Sequence, residues 1–402
     1  MAIGAAVGLV LGGALIGAAA VPLPSGSPTL RLHLASSPTG TRPTVPFPSQ
    51  GESAVEIPTF GFEASTANQQ RQPIASLTKL MTAYVTLHML PLAASASGPS
   101  IEVGPGDVEV YGDDVRTNQS SVKVAEGEVL TERQLLEGLL VHSANNYAVL
   151  LAELDAGSVS AMVSDMNAMA ATLKMNSTTY ADVSGYDPAS VSNAVDQLKL
   201  AVLLMRDPTF AKIVRLSEVW LPVAGYVASY TPGIASLVGL PPTPGVVGVK
   251  SGYTTEAGAC DVMAYDDVIG RHEVQVVSVV LGQSSLSNRS DLAAAGHSAL
   301  AMTKGAVEHL RVWNVALARH QVGTLGWGSH TVPVLAETTL IVPVFASIDG
   351  AVRVLDVAWP TSSVEAGRAL ATLFVTSGTY REVTRLVSGA TLTRASLWQR
   401  LS

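Results

Sequence analysis

Apolar and polar positions along the chain alternate between helical and strand periods. Ala54-Val-Glu-Ile-Pro-Thr-Phe-Gly-Phe is weakly strand-like, and an apolar segment then starts near Ser76 and runs to about Leu90 with helical spacing. Pro73 is expected to open that helix. Ile101 to Val124 reads as short strands and turns. Thr131 and Gln134 form a capping pair ahead of Leu135, Leu136, Leu139 and Leu140, which predicts a helix that breaks near His142. Asn146 to Leu154 is the next helix, so Ser143-Ala144-Asn145 falls on the connection between two helices. Helical patterns continue through Val159–Leu173 and Val195–Met205. Gly245 to Thr254 reads as a strand running into a glycine-bearing turn, at or near the exposed side of a sheet completed by Ala259–Tyr265 and Glu273–Gly282. Ser290 to Ala318 reads as helix. Beyond about Gly323 the texture changes to short β runs, Thr331–Leu335, Thr338–Val344, Val352–Val357 and Leu370–Thr376, which predicts a separate small all-β domain.

The first segment departs from all of this. Ala2 to Leu23 is uncharged and apolar, long enough for a secretory signal or a single membrane span, but it lacks the usual basic flank. Either the true start lies upstream or the insertion signal is atypical, and cleavage after Ala18-Ala19-Ala20 and retention as an anchor both stay open. From about Val21 to Gly51 the chain is dense in Pro, Ser, Thr and Gly, the composition of an extended linker. The expected organisation is a signal or anchor over 1–23, a linker over 24–52, a catalytic domain over 53–320 and a β-rich domain over 321–402.

Composition narrows the function. A chain of 402 residues suits two domains, and 48% hydrophobic residues suffice for a sizeable core. A net charge of −8 gives no basic face for nucleic acid. The single cysteine, Cys260, excludes an internal disulfide and is expected to be a buried strand residue. No Cys/His cluster has metal-ligand spacing, so neither a metal nor a cofactor is expected.

The chemistry begins with Ser76 and Lys79, three positions apart and therefore on one helix face. A serine is a weak nucleophile until a neighbouring base activates it, and a neutral lysine one turn away can do so. The spacing alone proves little, because Ser120-Ser121-Val122-Lys123 repeats it. That copy lies in a stretch read as a short strand, where side chains three apart point to opposite faces. Two further elements follow Ser76 in order, Ser143-Ala-Asn145 and Lys250-Ser251-Gly252. Such a trio is the signature of penicillin-binding proteins and class A β-lactamases. The second and third motifs depart from Ser-Asp-Asn and Lys-Thr-Gly, but they keep hydroxyl plus amide, and cation plus hydroxyl plus glycine.

The chain resembles the serine D-alanyl-D-alanine carboxypeptidases, the low-molecular-weight penicillin-binding proteins. The likeness extends to Ala75-Ser-Leu-Thr-Lys-Leu-Met-Thr-Ala-Tyr, Gly127-Glu-Val-Leu-Thr, Gly248-Val-Lys-Ser-Gly-Tyr-Thr-Thr-Glu-Ala-Gly-Ala-Cys, and Val279-Val-Leu-Gly followed by Arg289. It covers roughly Ala54 to Leu300, and the trailing β module matches more loosely. The resemblance implies an α/β (α+β) serine transpeptidase/β-lactamase-like domain, with an antiparallel sheet flanked by helices and an all-helical lobe, followed by a small all-β C-terminal domain.

It also implies roles for the residues. Ser76 would attack the terminal D-Ala-D-Ala bond of a peptidoglycan stem peptide and form an acyl-enzyme, and β-lactam antibiotics would be covalent inhibitors. Lys79 would be the base, its pKa lowered by burial and by Lys250. Ser143 would relay the proton, and Asn145 would hold Lys79 and the substrate amide. Lys250 and Ser251 would bind the terminal carboxylate, and Gly252 would let the strand approach closely. The N–H groups of Ser76 and Tyr253 would form the oxyanion hole. Such enzymes work outside the cytoplasm, at the outer face of the cytoplasmic membrane, and Trp398 and Leu401 could touch lipid. Asn146 stands where the family often has an acid, with little consequence expected. His142 is expected to be a helix-end residue rather than a base.

Two rivals differ in class. A β-lactamase needs a glutamate for deacylation, yet between Leu151 and Val195 the only glutamate is Glu153, and the loop where one belongs offers Asp182 and Asp187. An inactive envelope scaffold would have no need of every reacting group. Carboxypeptidase, endopeptidase and transpeptidase activities share the acyl-enzyme and stay open from sequence.

Overall fold

The computed structural model describes residues 27–38, 44–235, 237, 240–284, 288–328, 330–345, 350–360 and 363–392. The expected signal or anchor over 1–23, the Trp398 and Leu401 tail and the Arg289 side chain lie outside the described residues. Contacts divide the chain into two units. One holds Arg42–Val268 and Glu273–His309; the other holds the described residues of Met1–Thr41 and Leu310–Ser402, together with Ile269–His272.

The first unit is built on a five-stranded antiparallel sheet in the order Val246–Thr254, Gly258–Ile269, His272–Gln283, Glu52–Ile57, Phe62–Ser65. The Lys250 strand is therefore an edge strand. The helices gather around Thr78–Met89, in which Leu80, Met81, Ala83, Val85 and Leu87 are buried along with Thr78, Lys79, Thr82 and Thr86. A helix buried on all sides belongs to the middle of a core, and its polar groups need partners there. Thr82 Oγ1 donates to the Val183 carbonyl at 2.7 Å, and Thr86 Oγ1 donates to Asp155. The Glu132–Val141, Asn145–Ala156, Val159–Thr172 and Ala194–Leu204 helices complete the lobe. Thr131 and Gln134 form the capping box, each side chain bound to the other's backbone.

The second unit is all β. Its six-stranded sheet runs in the order Thr29–Leu32, Gln321–Trp327, His330–Ala336, Tyr380–Ser388, Ala369–Ser377, Ala351–Leu355, beside a pair formed by Leu310–Ala316 and Leu340–Phe345. Val334, Val342, Leu373, Val375 and Leu386 form the middle of its core.

Four local expectations give way. Thr29–Leu32, inside the expected linker, pairs with Gly323–Gly326, because Leu30, Leu32 and Leu34 alternate with polar residues and pack on the β core. Pro105–Arg116 is a helix rather than strands and turns. Pro105 sits in its first turn, and the Gly104 N–H donates to Asp107 Oδ2 at 2.7 Å. Gly106 and Gly112 are poor helix formers and weaken the pattern. The expected helix from Ser290 to Ala318 ends at Val307, and Leu310–Ala316 is a strand with Leu310, Trp313 and Val315 buried. Its valines and tryptophan favour a pleated, half-buried surface. Pro73 does not open a helix: it lies in a two-residue strand opposite Val191, and the helix starts at Thr78 after a short 3₁₀ turn over Ala75–Leu77.

Candidate active site

The serine is presented by a strained turn. Ala75 adopts φ +47, a left-handed conformation rare for residues with a Cβ, immediately before Ser76 in the 3₁₀ turn that feeds the Thr78 helix. Gly185, at φ +81, lies against this turn, and a Cβ built there would stand 1.7 Å from the Ala75 carbonyl oxygen. Only glycine fits such an approach. Lys79, one turn on, is fully buried. Its Nζ stands 2.8 Å from Ser76 Oγ and donates to the Ser184 carbonyl at 2.8 Å. Burial pushes the amine down to about 7, against the opposing attraction of Asp182 and Asp114. A base poised there is free at neutral pH.

Ser143 sits between two helix ends. His142 closes the Glu132–Val141 helix, Ser143 takes φ +62, and Ala144 starts the Asn145–Ala156 helix. The Ala144 N–H donates to the Gly138 carbonyl at 3.1 Å, and the Asn145 N–H to the Ser120 carbonyl at 2.7 Å, which fixes the loop. His142 Nδ1 lies 2.8 Å from the Ala228 carbonyl oxygen, so it is occupied at the helix end.

Lys250 brings the third element to the second. It is 1% exposed, and its Nζ donates to Ser143 Oγ at 2.9 Å and to the Ser251 carbonyl at 2.6 Å. Burial depresses its pKa well below the ordinary value, and repulsion from Lys79 adds to this. Burial is the largest cause of the depression of both lysines, and the mutual repulsion of the two amines works against their being charged together. Ser251 Oγ donates to the Tyr230 carbonyl at 2.7 Å. A Cβ on Gly252 would lie 2.6 Å from the Ser76 backbone nitrogen, so the strand edge runs directly against the Ser76 amide. Tyr253 follows, half-buried. Ser76 with Lys79 and Ser143 with Lys250 thus form two hydrogen-bonded pairs, with Gly252 closing over Ser76.

Asn145 behaves differently from its expected role. Its Nδ2 donates to Gln119 Oε1 at 2.6 Å, its Oδ1 is buried without a partner, and the Ser184 carbonyl does the holding of Lys79. Asn146, expected to matter little, binds Val122 at two points: Oδ1 accepts from the Val122 N–H at 3.0 Å, and Nδ2 donates to the Val122 carbonyl at 2.7 Å. That clamp holds the segment around the second Ser-x-x-Lys copy. This segment is an irregular loop rather than a strand, with Lys123 exposed.

Asp182, Asp114 and Asp261 act on the two lysines and belong to none of the three motifs. Asp182 is the hub of the 182–190 loop: it accepts from Ser184 Oγ at 2.7 Å, Ser190 Oγ at 2.6 Å, and the N–H groups of Gly185 and Tyr186 at 3.0 and 2.9 Å. Its oxygens are thus occupied, while Asp187, the other acid of the loop, is exposed and accepts the Ala189 N–H at 2.8 Å. Glu153 is exposed on the Asn145–Ala156 helix. Asp114, buried, is pushed up to about 6 by burial and held down by Lys79. Asp261 lies on the strand beside Lys250. An acid spaced for a loop hub looks like any turn residue in sequence, so only the fold distinguishes it. Cys260 is buried in the same strand, its thiol pushed up to about 12 by burial. Among the described residues no group of three His, Cys, Asp or Glu side chains could hold a metal ion.

Comparison with known proteins agrees with this geometry. The sequence profile described as D-alanyl-D-alanine carboxypeptidase matches residues 63–285, more than half of the chain. D-alanyl-D-alanine carboxypeptidase DacD of Escherichia coli is 30% identical over 237 residues, 57% of this chain and 56% of the relative. A D-alanyl-D-alanine endopeptidase of Pseudomonas aeruginosa is 32% identical over 214 residues, 51% of this chain and 62% of the relative. The chain thus spans somewhat over half the length of these curated relatives. The crystal structure of penicillin binding protein 6B from Escherichia coli shares the fold, with a TM-score of 0.58 at 21% identity over 87% of this chain and 99% of that one.

Proposed function

The chain belongs to the D-alanyl-D-alanine carboxypeptidase family, and on that footing we propose that it is a serine D,D-carboxypeptidase of peptidoglycan stem peptides. The observation that carries the reading is the buried Lys79 amine, 2.8 Å from Ser76 Oγ and depressed to about 7.

Ser76 Oγ attacks the carbonyl carbon of the penultimate D-alanine while its proton passes to Lys79 Nζ. The negative oxygen of the tetrahedral intermediate faces the N–H groups of Ser76 and Tyr253, where preorganised donors lower the barrier by a few kcal/mol. The proton reaches the leaving amine through Ser143 Oγ, which Lys250 holds at 2.9 Å. The C–N bond breaks, D-alanine leaves, and water hydrolyses the acyl-enzyme. Lys250 and Ser251 receive the terminal carboxylate, which confines cleavage to the chain end. A β-lactam meets the same groups and stays attached to Ser76. The substrate lies outside the cytoplasm, at the outer face of the cytoplasmic membrane, so that is where the protein works. Among the described residues no single helix is long and apolar enough to cross a membrane.

Incubation with diacetyl-lysyl-D-Ala-D-Ala should release D-alanine, and mass spectrometry should find a penicillin adduct on Ser76. Ser76→Ala should abolish both without changing the unfolding midpoint. An adduct surviving in Ser76→Ala would identify another nucleophile, and no release with no adduct in the wild type would end the assignment. Cleavage of a cross-linked dimer in the same assay separates endopeptidase from carboxypeptidase action.

A further inference from the structure

A chain of hydrogen bonds that the reaction described above does not use runs from the end of the Pro105–Arg116 helix to Asn145. Thr117 Oγ1 lies 2.7 Å from the Asp113 carbonyl oxygen in the last turn of that helix. A carbonyl only accepts, so the single hydroxyl proton of Thr117 goes to it. Thr117 Oγ1 then accepts from its other neighbour, and the Gln119 atom 2.9 Å away is the Nε2 donor. That turns Gln119 Oε1 toward Asn145, where it accepts from Nδ2 at 2.6 Å. The direction of each bond follows from the one before it, and both side-chain amides are locked in one orientation.

Backbone bonds hold this chain in place. The Gln119 N–H donates to the Asp114 carbonyl at 2.8 Å, and the Asn145 N–H donates to the Ser120 carbonyl at 2.7 Å. Asn145 stands two residues after Ser143, at the first position of its helix. It is 7% exposed, and its Oδ1 has no partner. A buried acceptor left unpaired is costly, and such a group calls for something to complete it. Lys79 does not, because its Nζ is spent on Ser76 and the Ser184 carbonyl. A donor on the substrate remains.

We propose that Gln119 is a positioning residue that sets the polarity of the Asn145 amide, so that Oδ1 accepts the N–H of the substrate's penultimate D-alanine. This rests on the carboxypeptidase reading, and it gives the loop of the second Ser-x-x-Lys copy a part in recognising the peptide. Without Gln119 the Asn145 amide is free to turn over. Its NH2 group then meets the substrate N–H, donor against donor, and the bond is lost.

The test measures D-alanine release by the purified full chain from two peptides. One is diacetyl-lysyl-D-Ala-D-Ala; the other has D-lactate as its penultimate residue, so that an ester oxygen replaces that one N–H. Wild-type protein should favour the amide in kcat/KM. Gln119→Leu should slow the amide by about tenfold, the worth of one hydrogen bond, and should slow the ester by less than about threefold. Gln119→Glu keeps an oxygen facing Asn145 Nδ2 and should stay within about threefold of wild type on both peptides. A structural role would instead lower the thermal midpoint and slow both peptides together. An amide-to-ester ratio in Gln119→Leu within about twofold of wild type would overturn the inference, as would equal loss on both peptides or a Gln119→Glu protein as impaired as Gln119→Leu. A wild-type chain that releases D-alanine from neither peptide would overturn the carboxypeptidase reading itself and take this inference with it, whereas an unchanged ratio in an active protein overturns the inference alone.

Discussion

Lys79→Arg tests the general base directly, because arginine keeps the positive charge and cannot be deprotonated in a protein. The ordinary lysine value is 10.5, and here it falls to about 7. At pH 7 roughly half the molecules therefore carry a neutral Lys79, against roughly one in three thousand at the ordinary value. The group is fully buried, so solvent screens the effect little. Stopped-flow acylation by a chromogenic or fluorescent penicillin should give a rate that rises with pH and levels off above about 7 in the wild type. Lys79→Arg should lower that rate by about a hundredfold to ten-thousandfold, the usual worth of a positioned base, and should remove the limb near pH 7. The same depression affects stability. Between pH 7 and 10.5 the unfolded chain holds a proton on Lys79 that the folded chain has released, so the unfolded state binds more protons and stability from this group rises with pH over that window. A wild-type rate that is flat from pH 5 to 9, or a Lys79→Arg rate within tenfold of wild type, would refute the role of Lys79 as base.

The remaining predictions concern the scaffold of the site. Gly252→Ala would place a methyl group 2.6 Å from the Ser76 backbone nitrogen, displacing the strand from the serine. Acylation should fall by at least about a hundredfold, since an ångström of misplacement costs that much, with secondary structure by circular dichroism unchanged. Asn146→Ala would leave the Val122 N–H and carbonyl without partners at a residue only 1% exposed. Urea unfolding should show a loss of about 2–4 kcal/mol, from two buried groups left unpaired, and an unchanged midpoint would show that the clamp contributes nothing.

The site was more legible than its surroundings. The three motifs are local: each needs only a few residues in a fixed order on an element of known period, so Ser76, Lys79, Ser143 and Lys250 could be named from spacing. The same spacing at Ser120 carried no chemistry, because the loop it occupies leaves Lys123 in solvent. The helix over Pro105–Arg116 was masked by its two glycines and sparse apolar positions. The edge strand at Thr29–Leu32 was masked by the prolines and serines around three alternating leucines.

The amino-acid order by itself determined which groups can react and on which elements they ride: the helix period pairs Ser76 with Lys79, the capping box at Thr131 starts the helix that leads to Ser143, and the strand run carries Lys250. Only the tertiary structure decided what those groups are. A lysine's basicity depends on water, and burial of Lys79 is made by helices distant in sequence. The acids that steady the two lysines, Asp182, Asp114 and Asp261, arrive from three separate segments. The left-handed turns at Ala75 and Ser143 exist because Gly185 and the backbone bonds to Gly138 and Ser120 hold them there. Reactivity here is a property of dielectric and distance, and both are set by contacts that a linear pattern does not contain.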